Sequence, residues 1–475
     1  MTRWILLWHP QAEVEIQQGS VTVQSPLCHW TRQQLSAGLQ ATLQELGQGA
    51  TEEQLADRAE ELDGTHQLAH FFYLLRGLFD KALLARRLEV DGQQLATLVP
   101  LSRPDRFNPG GGGRHSGTLL RLCRFACARR QGRALLLESP LSSFQVVVHG
   151  WQGASLLGVL AEPRSVDELG KAIPGLPPKA AAALAGLLLD AQLAWPVDEQ
   201  GKAPDESPPR LQWEFHDLFF HSRSRLGWHL NPVGATFPFA SRVPPVLKPL
   251  PAPAKGRPID LHRPDLDELQ RTDPPYCQVQ ESRRSIRSYA KEPLTVRQIG
   301  EFLFRVARLR KTFEIGEVEL SSRPYPGGGA CHPLEFYLAV RTCQGLGAGL
   351  FCYQPATHRL CPLEAPPEAL ETLFDSARWA VGMDLDPQLM IVLTARFQRL
   401  SWKYQSVVYA TILKEVGVVM QTMYLCATAM GLAGCALGSG DSRLFAEAAG
   451  LDYCTESSLG EFLLGSRAPR PKISE

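Results

Sequence analysis

The chain has 475 residues, of which 44% are hydrophobic, and its 49 acidic and 49 basic residues leave no net charge. This length predicts roughly three domains of ordinary soluble composition. Nucleic-acid binding normally needs a basic excess, so nucleic acid is not expected as a partner. The 11 cysteines form no Cys-x-x-Cys pair, which indicates reduced thiols in the cytoplasm and no metal site. The most apolar helix-like run, residues 180–189, is about half a membrane span, so no membrane association is expected.

Residues 1–108 are predicted to form a winged helix-turn-helix unit. Turn residues between apolar runs indicate two hairpins, and capping boxes or an apolar stripe indicate three helices. In chain order these are a hairpin around Gly19, a helix opened by Thr31-x-x-Gln34, a helix opened by Thr51-x-x-Gln54, a helix through Leu68, Phe71, Leu75 and Leu78, and a hairpin at Asp91-Gly92.

Residues 119–200 are predicted to form a second unit of the same kind, without repeating the sequence of the first. Its predicted elements are strands at 134–137 and 144–148, a helix at 151–160, a helix opened by Ser165-x-x-Glu168, a helix from Pro177 to Leu189, and a strand at 193–195. The connector between the two units, Pro109 followed by four glycines, suits no regular element.

Residues 211–275 are predicted to be an extended, semi-rigid crossing segment. Eleven prolines lie between residues 231 and 275, a density that helices and central strands exclude. From residue 276 to residue 475, alternating helix and strand patterns predict an α+β domain of normal size.

Two short runs in this last domain suggest a binding site. The first combines three guanidinium groups with a hydroxyl, just before a helix that Thr295 can cap: Arg283, Arg284, Ser285 and Arg287. Guanidinium forks and hydroxyls match the oxygens of a phosphate. The second run, Gly327–Gly329, allows backbone to approach a flat ring or a phosphate closely. Taken alone, the first run also suits a solvated surface and the second a flexible turn.

The surroundings of these runs are more specific. The stretch Arg323–Tyr337, RPYPGGGACHPLEFY, leads into a predicted strand at 334–340, and two more predicted strands follow. From about Trp213 to Arg467, these ordered motifs resemble the azoline oxidases, nitroreductase-like flavin enzymes that finish thiazole- and oxazole-containing ribosomal peptides. Among them, the chain is most similar to the cyanobactin thiazoline oxidases, which also carry two winged-helix units.

The resemblance implies an α+β fold in which two winged helix-turn-helix units precede a nitroreductase-like FMN domain. That domain would have a mixed or antiparallel sheet with helices around a long buried helix, and a homodimer would hold FMN at its interface. The implied FMN contacts are Arg283, Arg284, Ser285 and Arg287 for the phosphate and ribityl chain, Pro326, Gly327, Gly328 and Gly329 over the ring, Gly438 and Ser439 facing the ring, and Arg467 at the phosphate.

The pair Lys403-Tyr404 is the catalytic pair by the same resemblance. We expect it to open a helix that runs to about Met430 and stops at Gly431. This helix is apolar on nearly all sides, which predicts that it is buried, here at the core of a dimer. Taken alone, a Lys-Tyr pair equally suits an exposed helix start.

The reaction that the resemblance implies requires a particular cofactor. A thiazoline becomes a thiazole by losing a proton and a hydride, and side chains cannot accept a hydride, so FMN is required. Lys403 would take the proton, and Tyr404 would position the ring or the lysine. The resemblance implies O2 as the acceptor that reoxidises the flavin. Two alternatives remain open: a nitroreductase-type enzyme for small soluble substrates, and a non-enzymatic peptide-binding scaffold.

The winged-helix units raise DNA binding as a rival interpretation. The zero net charge opposes it, and so do the acidic residues of the second predicted helix, which are Glu52, Glu53, Asp57, Glu60 and Glu61. We favour capture of the leader of a heterocyclised precursor peptide, which would add as a strand to a hairpin edge and rest on the third helix. The sequence does not decide which of the two units binds it.

Overall fold

The computed structural model describes residues 1–102, 117–245, 256–316, 318–382 and 385–468. The chain divides into two compact units, Met1–Asn231 and Pro232–Glu475, and buried apolar clusters form a core in each. The connector predicted at 109–113 and the prolines at 249, 251 and 253 lie outside the described residues.

The first part of unit 1 contains both predicted hairpins. Its elements are β1 (Thr2–Trp8), β2 (Glu13–Gln17), β3 (Ser20–Gln24), β4 (His29–Gln33), α1 (Ala37–Glu45), α2 (Glu52–Asp63), a 3-10 turn (Thr65–Gln67), α3 (Leu68–Asp80), β5 (Leu84–Val90) and β6 (Gln93–Pro100). Strand β2 pairs with β3 and β5 with β6, and the capping box at Thr51 and Gln54 opens α2, as predicted.

The prediction for the first helix was wrong at its start. Thr31 lies in β4, where it pairs with Thr22 of β3, so its backbone belongs to a sheet and not to a helix cap. Helix α1 instead begins after Ser36, whose hydroxyl accepts a hydrogen bond from the N–H of Leu39. A side-chain oxygen at this position satisfies an amide that has no partner inside the helix.

The second part of unit 1 follows the predicted order of strands and helices. Its elements are β7 (Leu120–Leu122), β8 (Cys127–Gln131), β9 (Ala134–Glu138), β10 (Phe144–Val148), α4 (Gly150–Val159), α5 (Val166–Ala172), α6 (Pro178–Asp190), β11 (Ala194–Pro196), a 3-10 turn (Pro204–Glu206), α7 (Pro208–Leu211) and α8 (Phe215–Arg223). The capping box at Ser165 and Glu168 opens α5, as predicted.

One sheet joins the two parts of unit 1. Its strand order is β1-β5-β6-β10-β9-β8, and β6 pairs antiparallel with β10. The smaller sheet β2-β3-β4 belongs to the first part alone, and β4 lies at its edge. Leu75 of α3 and Leu184 of α6 pack into two separate apolar clusters. The helical parts are therefore distinct, whereas their wings share a sheet.

Unit 2 is an antiparallel sheet between two helical layers. Its elements are β12 (Gly234–Ala235), β13 (Ile259–Asp260), α9 (Leu266–Thr272), α10 (Tyr276–Ser282), α11 (Val296–Ala307), β14 (Lys311–Ile315), β15 (Val318–Ser322), a 3-10 turn (Gly328–Ala330), β16 (Leu334–Val340), β17 (Gly349–Gln354), β18 (Arg359–Leu363), α12 (Pro367–Val381), β19 (Leu389–Arg396), α13 (Phe397–Ser401), β20 (Tyr404–Gln405), α14 (Val408–Ala429), β21 (Leu432–Ala436), α15 (Ser442–Ala449) and β22 (Glu456–Ser466). The main sheet has the order β13-β18-β17-β16-β19-β22-β21.

The central strands β16 and β19 are buried along their whole length. Because side chains alternate between the faces of a strand, Phe336 and Tyr337 point into different apolar clusters. Helices α11 and α14 cover the face of Phe336, and α12 and α15 cover the face of Tyr337. The capping box predicted at Thr295 opens α11.

The long helix differs from its prediction at its start. It begins at Val408 and not at Lys403, because Ser406 has φ +61° and residues 404–405 form the short strand β20. One chain does not bury the helix all round: Ile412, Val416 and Val419 are buried, whereas Leu413 and Val418 are exposed. Its burial in a dimer stays a prediction.

The proline-rich segment is likewise not extended throughout its described part. Helix α9 lies inside it, after Pro264 and before Pro274, and contains no proline. Across the described ranges, no helix combines the length and the hydropathy of a membrane span.

Candidate active site

The predicted catalytic pair faces the glycine run. A Cβ built on Gly329 would lie 2.3 Å from the Tyr404 hydroxyl oxygen and 3.0 Å from Lys403 Nζ. Gly329 also has φ +58°, a conformation that side chains disfavour, so both space and backbone require glycine here. The Lys403 ammonium nitrogen lies 5.3 Å from the centre of the Tyr404 ring. Two motifs that are about seventy residues apart in sequence therefore form one site.

A strap of the proline-rich segment holds this pair in place. Strand β12 pairs with β20, and the N–H of Phe237 donates to the carbonyl of Lys403 over 3.1 Å. The indole of Trp402 donates to the carbonyl of Val243 over 2.7 Å, and the Ser406 hydroxyl donates to the carbonyl of Pro232 over 2.8 Å. The sequence assigned no site role to residues 232–243, because such backbone contacts leave no residue signature.

Glu415 of α14 is a site residue that the sequence reasoning missed. One of its carboxylate oxygens accepts a hydrogen bond from the N–H of Gly328, and a Cβ on Gly328 would lie 2.5 Å from Thr411 Cγ2. The other oxygen is buried and has no partner among the described residues. Burial raises the pKa of this carboxyl to about 7, against the Gly328 hydrogen bond and Arg323. The available signal was a single carboxylate in the apolar stretch 407–430.

Two aromatic side chains behind the glycine run are held neutral. The rings of Tyr325 and His332 meet edge to face at 5.1 Å. Burial, then the charges of Arg323 and Arg399, lower the pKa of His332 to about 4. Burial raises the pKa of Tyr325 to about 12. Both groups therefore support the run without carrying charge near pH 7.

The arginine run lies against the other end of α14. The Ser285 hydroxyl and the Tyr424 hydroxyl are 2.8 Å apart, and the Arg283 guanidinium lies 5.3 Å from the centre of the Tyr424 ring. Arg284 and Arg287 are exposed. Within the described ranges, no carboxylate forms an ion pair with the arginines of this run, so their charges are available to an anion.

Arg467 joins this end of the unit through the backbone. It forms an antiparallel bridge with Tyr289 and lines a cavity of about 330 Å³ together with Ser282 and Thr428. The predicted contacts at Gly438 and Ser439 are exposed and lie beyond β21, where Leu437 donates to the carbonyl of Glu461 over 2.9 Å. No hydrogen bond of a described residue links Gly438 or Ser439 to either run. Pro326 is exposed beside the glycine run.

The two runs contact α14 far from each other. The glycine run touches Thr411 and Glu415, whereas the arginine run touches Tyr424. At ~1.5 Å per residue, Thr411 and Tyr424 are roughly 20 Å apart along the helix axis. The structure therefore brings Lys403, Tyr404 and the glycine run together, and separately Arg283, Ser285 and Arg467.

The residues present fit a flavin in two ways. The arginine run offers guanidinium groups that no carboxylate of the described chain neutralises, which suits a phosphate. The glycine run packs so closely on Thr411 and Tyr404 that a side chain at Gly328 or Gly329 would clash, and Gly329 is exposed, so its bare backbone can face a flat ring. No cluster of three or more metal-ligating side chains occurs in the described residues.

The chain is also similar to known protein families. A cyanobactin oxidase (ThcOx) family profile matches residues 120–230, a ThcOx helix-turn-helix profile matches residues 12–108, and the nitroreductase family profile matches residues 281–465. A putative nitroreductase of Methanocaldococcus jannaschii is 29% identical over 184 residues, which are 39% of this chain and 86% of that protein.

Solved structures give weaker likenesses. A putative nitroreductase from Ralstonia eutropha is 21% identical, with 48% of this chain and 98% of that chain covered and a TM-score of 0.35. A chain of the E. coli microcin synthetase McbBCD complex with truncated pro-MccB17 bound is 20% identical, with 53% and 91% covered and a TM-score of 0.34.

The profile matches confirm the predicted α+β fold class and the resemblance drawn from the motifs. They also indicate a flavin-type cofactor. In chain order, the chain therefore matches a ThcOx helix-turn-helix profile, a cyanobactin oxidase (ThcOx) profile and a nitroreductase profile, and these matches support an oxidoreductase of the flavin type.

Proposed function

We propose that the chain is an FMN-dependent oxidase that converts thiazolines or oxazolines of a heterocyclised ribosomal peptide to thiazoles or oxazoles, with O2 as the electron acceptor. One observation carries this proposal: Lys403 Nζ and the Tyr404 hydroxyl both face Gly329, the exposed glycine of the run expected to pass over the flavin ring. The proposed proton acceptor, Lys403, then lies next to the backbone that is proposed to bind the flavin ring.

Each side chain of the site has its own role in the proposed reaction. A bound flavin supplies the hydride acceptor, which no side chain can replace. Lys403 takes the proton from the α-carbon of the azoline, and Tyr404, whose hydroxyl points at the same glycine, orients the ring or the amine. Glu415 fixes the glycine run by accepting from Gly328 N–H. The strap at 232–243 fixes Lys403 through its carbonyl.

The working form in this proposal is a homodimer. The arginine run and the glycine run meet α14 roughly 20 Å apart along its axis, so one flavin takes them from different copies. Three apolar side chains of α14 are exposed in the single chain, Tyr409 at 43%, Leu413 at 38% and Val418 at 39%, and they offer contacts for the second copy.

The direct test is incubation of the purified, FMN-loaded protein with a thiazoline peptide in air. We expect each ring to lose the mass of two hydrogen atoms, and hydrogen peroxide to form in equal amount. The matched control is the same peptide with its cysteines not cyclised, which should not change. Reduction of small nitro compounds without any change in the thiazoline peptide would instead support the small-substrate alternative.

The leader of this peptide is proposed to bind in the first part of unit 1. A groove of about 480 Å³ lies between β4 and α3, with Trp30, Leu35, Leu39, Tyr73 and Leu74 among its lining residues. Strand β4 is the edge of its sheet, and Tyr73 is 74% exposed. An extended peptide can add to such an edge by main-chain hydrogen bonds while its side chains contact the helix.

The groove proposal is tested by Tyr73→Ala. Loss of an exposed aromatic anchor should raise KM for a leader-bearing peptide and leave KM for a leaderless peptide unchanged. Trp151→Ala is the matched control, because Trp151 is 54% exposed in the second part of the unit. If both variants raise KM equally, the groove has no specific role.

A further inference from the structure

A second cavity of about 480 Å³ lies in unit 2, and no residue of the glycine run or of the arginine run lines it. We call it the arginine cavity, because Arg323, Arg396 and Arg399 all line it. These residues follow β15, end β19 and lie in α13, respectively. Arg323 is only 6% exposed and Arg399 only 7%.

The cavity presents buried donors that the described chain does not use. Arg323 Nε and Nη1, Arg399 Nη1 and the Ser321 hydroxyl all lack a hydrogen-bond partner among the described residues, and so does one acceptor, Glu335 Oε1. Buried donors without partners are costly, and native structures pair nearly all of them. Several such atoms around one cavity indicate a ligand with acceptor oxygens.

The three guanidinium groups around the cavity differ in how far they are paired. Two carboxyl groups, those of Glu319 and Glu335, also line the cavity. Arg396 is already engaged, with Nε 3.1 Å from Glu456 Oε2 and 3.4 Å from Glu335 Oε1. Arg323 and Arg399 are therefore the guanidinium groups that a ligand would contact. Burial raises the pKa of the Glu335 carboxyl and lowers the pKa of the Arg399 guanidinium.

The apolar residues of the lining indicate which class of ligand the cavity binds. Leu309, Tyr353 and Pro355 add apolar surface to the lining of the cavity. An organic acid with a short apolar tail fits both the guanidinium groups and this apolar surface, whereas an inorganic anion would leave the apolar surface uncovered. The cavity also lies next to the segment that follows the glycine run, because Arg399 Nε donates to the carbonyl of Cys331 over 3.1 Å.

We propose that the arginine cavity binds a carboxylate with an apolar tail, held by Arg323, Arg399 and Ser321. The carboxylate is either that of a small free acid or that of a peptide C-terminus. This site does not rest on the azoline chemistry proposed above, because its evidence is the unpartnered donors and the lining of the cavity.

The test is thermal unfolding of the full-length, flavin-loaded protein with increasing butyrate. Ligand that binds only the folded state raises Tm progressively with concentration. Butyramide is the matched neutral probe, and sodium chloride at equal ionic strength is the salt control. We expect butyrate alone to raise Tm. Equal shifts with butyrate and butyramide, or a shift with phosphate and not butyrate, would overturn the proposal.

Three variants locate the effect. Arg399→Met should weaken the binding of butyrate at least about tenfold, since a hydrogen bond to a charged group contributes about 1.5–3 kcal/mol. Ser321→Ala, which keeps every charge, should weaken it less and serves if Arg399→Met does not fold. Arg359→Met removes an exposed arginine of β18 and should keep the full butyrate shift. Equal loss in Arg359→Met and Arg399→Met would overturn the location.

The source of the carboxylate follows from a competition experiment. A peptide with a free C-terminus that displaces butyrate, while its C-terminal amide does not, identifies the peptide terminus as the ligand. If neither peptide displaces butyrate, the ligand is a free acid.

Discussion

Unit 2 contains two groups of arginines that differ in almost every physical respect. Arg283, Arg284 and Arg287 are adjacent in sequence and half-buried or exposed. Arg323, Arg396 and Arg399 come from three separate elements and are buried. An exposed guanidinium keeps its hydration until a ligand arrives, whereas a buried one needs its partner in the folded state. The first group therefore suits a cofactor that exchanges with solvent, and the second suits a bound ligand or an internal ion pair.

The comparison extends to the two ends of α14. Its Tyr424 end contacts the arginine run, and its Thr411 end contacts the glycine run next to Lys403. If the first end binds the cofactor and the second carries the chemistry, changes at the two ends should separate flavin content from turnover.

The largest separation is expected for Lys403→Ala. Loss of a general base typically costs about 10²–10⁴-fold in rate. Turnover of a thiazoline peptide should fall by this factor while the flavin absorbance per chain stays unchanged. Lys171→Ala, which changes an exposed lysine of α5, is the control and should turn over normally. Normal turnover in Lys403→Ala would remove the lysine from the mechanism.

At the Thr411 end, Glu415→Gln should change how stability depends on pH. Burial raises the pKa of Glu415 from 4.5 to about 7 in the folded chain. Between these values the unfolded chain has released the proton and the folded chain keeps it, so this carboxyl lowers stability as pH rises. Glutamine still accepts from Gly328 but does not titrate. Relative to the parent, the variant should gain about 3 kcal/mol of unfolding free energy between about pH 4.5 and 7.

The measurement is urea unfolding of both proteins at each pH. His332, whose lowered pKa of about 4 gives the opposite slope, is present in both and cancels in the difference. Glu447→Gln, which changes an exposed carboxyl of α15, is the matched control, and its free energy of unfolding should depend on pH as that of the parent does. Parallel curves for Glu415→Gln would show that Glu415 is ionised in the folded chain and would contradict the assignment.

A smaller effect is expected at the Tyr424 end. Arg283→Ala should weaken flavin binding by roughly 10- to 100-fold, since a hydrogen bond to a charged group contributes about 1.5–3 kcal/mol. Flavin titration of the apoprotein measures this loss, and Arg297→Ala, an exposed arginine of α11, is the control. If Arg399→Met weakens flavin binding as much as Arg283→Ala does, the two arginine groups bind one ligand, and the distinction drawn between them is wrong.

These two ends also differ in how far the sequence could predict them. Adjacent residues such as Arg283 and Ser285 can be read directly from a motif, and the α+β order of unit 2 follows from its patterns. The contact of Lys403 with Gly329 depends on a turn at Ser406 and on a strap from residues 232–243, neither of which leaves a local signature. The arginine cavity needs three elements to meet, so only the fold reveals it.

The smallest effect extends the comparison to unit 1, where exposed positive groups line the β4–α3 groove. Arg32, Arg76 and Lys81 outnumber the single carboxylate Asp80, with which Arg76 pairs at 3.0 Å. An acidic stretch of leader would gain only about 0.2–1 kcal/mol from each exposed pair. Arg32→Ser should therefore raise KM for an acidic leader peptide no more than a few-fold at low salt.

Salt distinguishes this contribution from a packing contact. Exposed charge pairs are screened when the Debye length shortens from about 30 Å at 0.01 M to about 3 Å at 1 M. The KM difference between Arg32→Ser and the parent should thus vanish at high salt, whereas the Tyr73→Ala effect should persist. Arg3→Ser, in β1 outside the groove, is the charge-matched control. A salt-independent loss in Arg32→Ser would mean that this arginine acts through packing or main-chain geometry of β4, and the electrostatic role of the groove would fail.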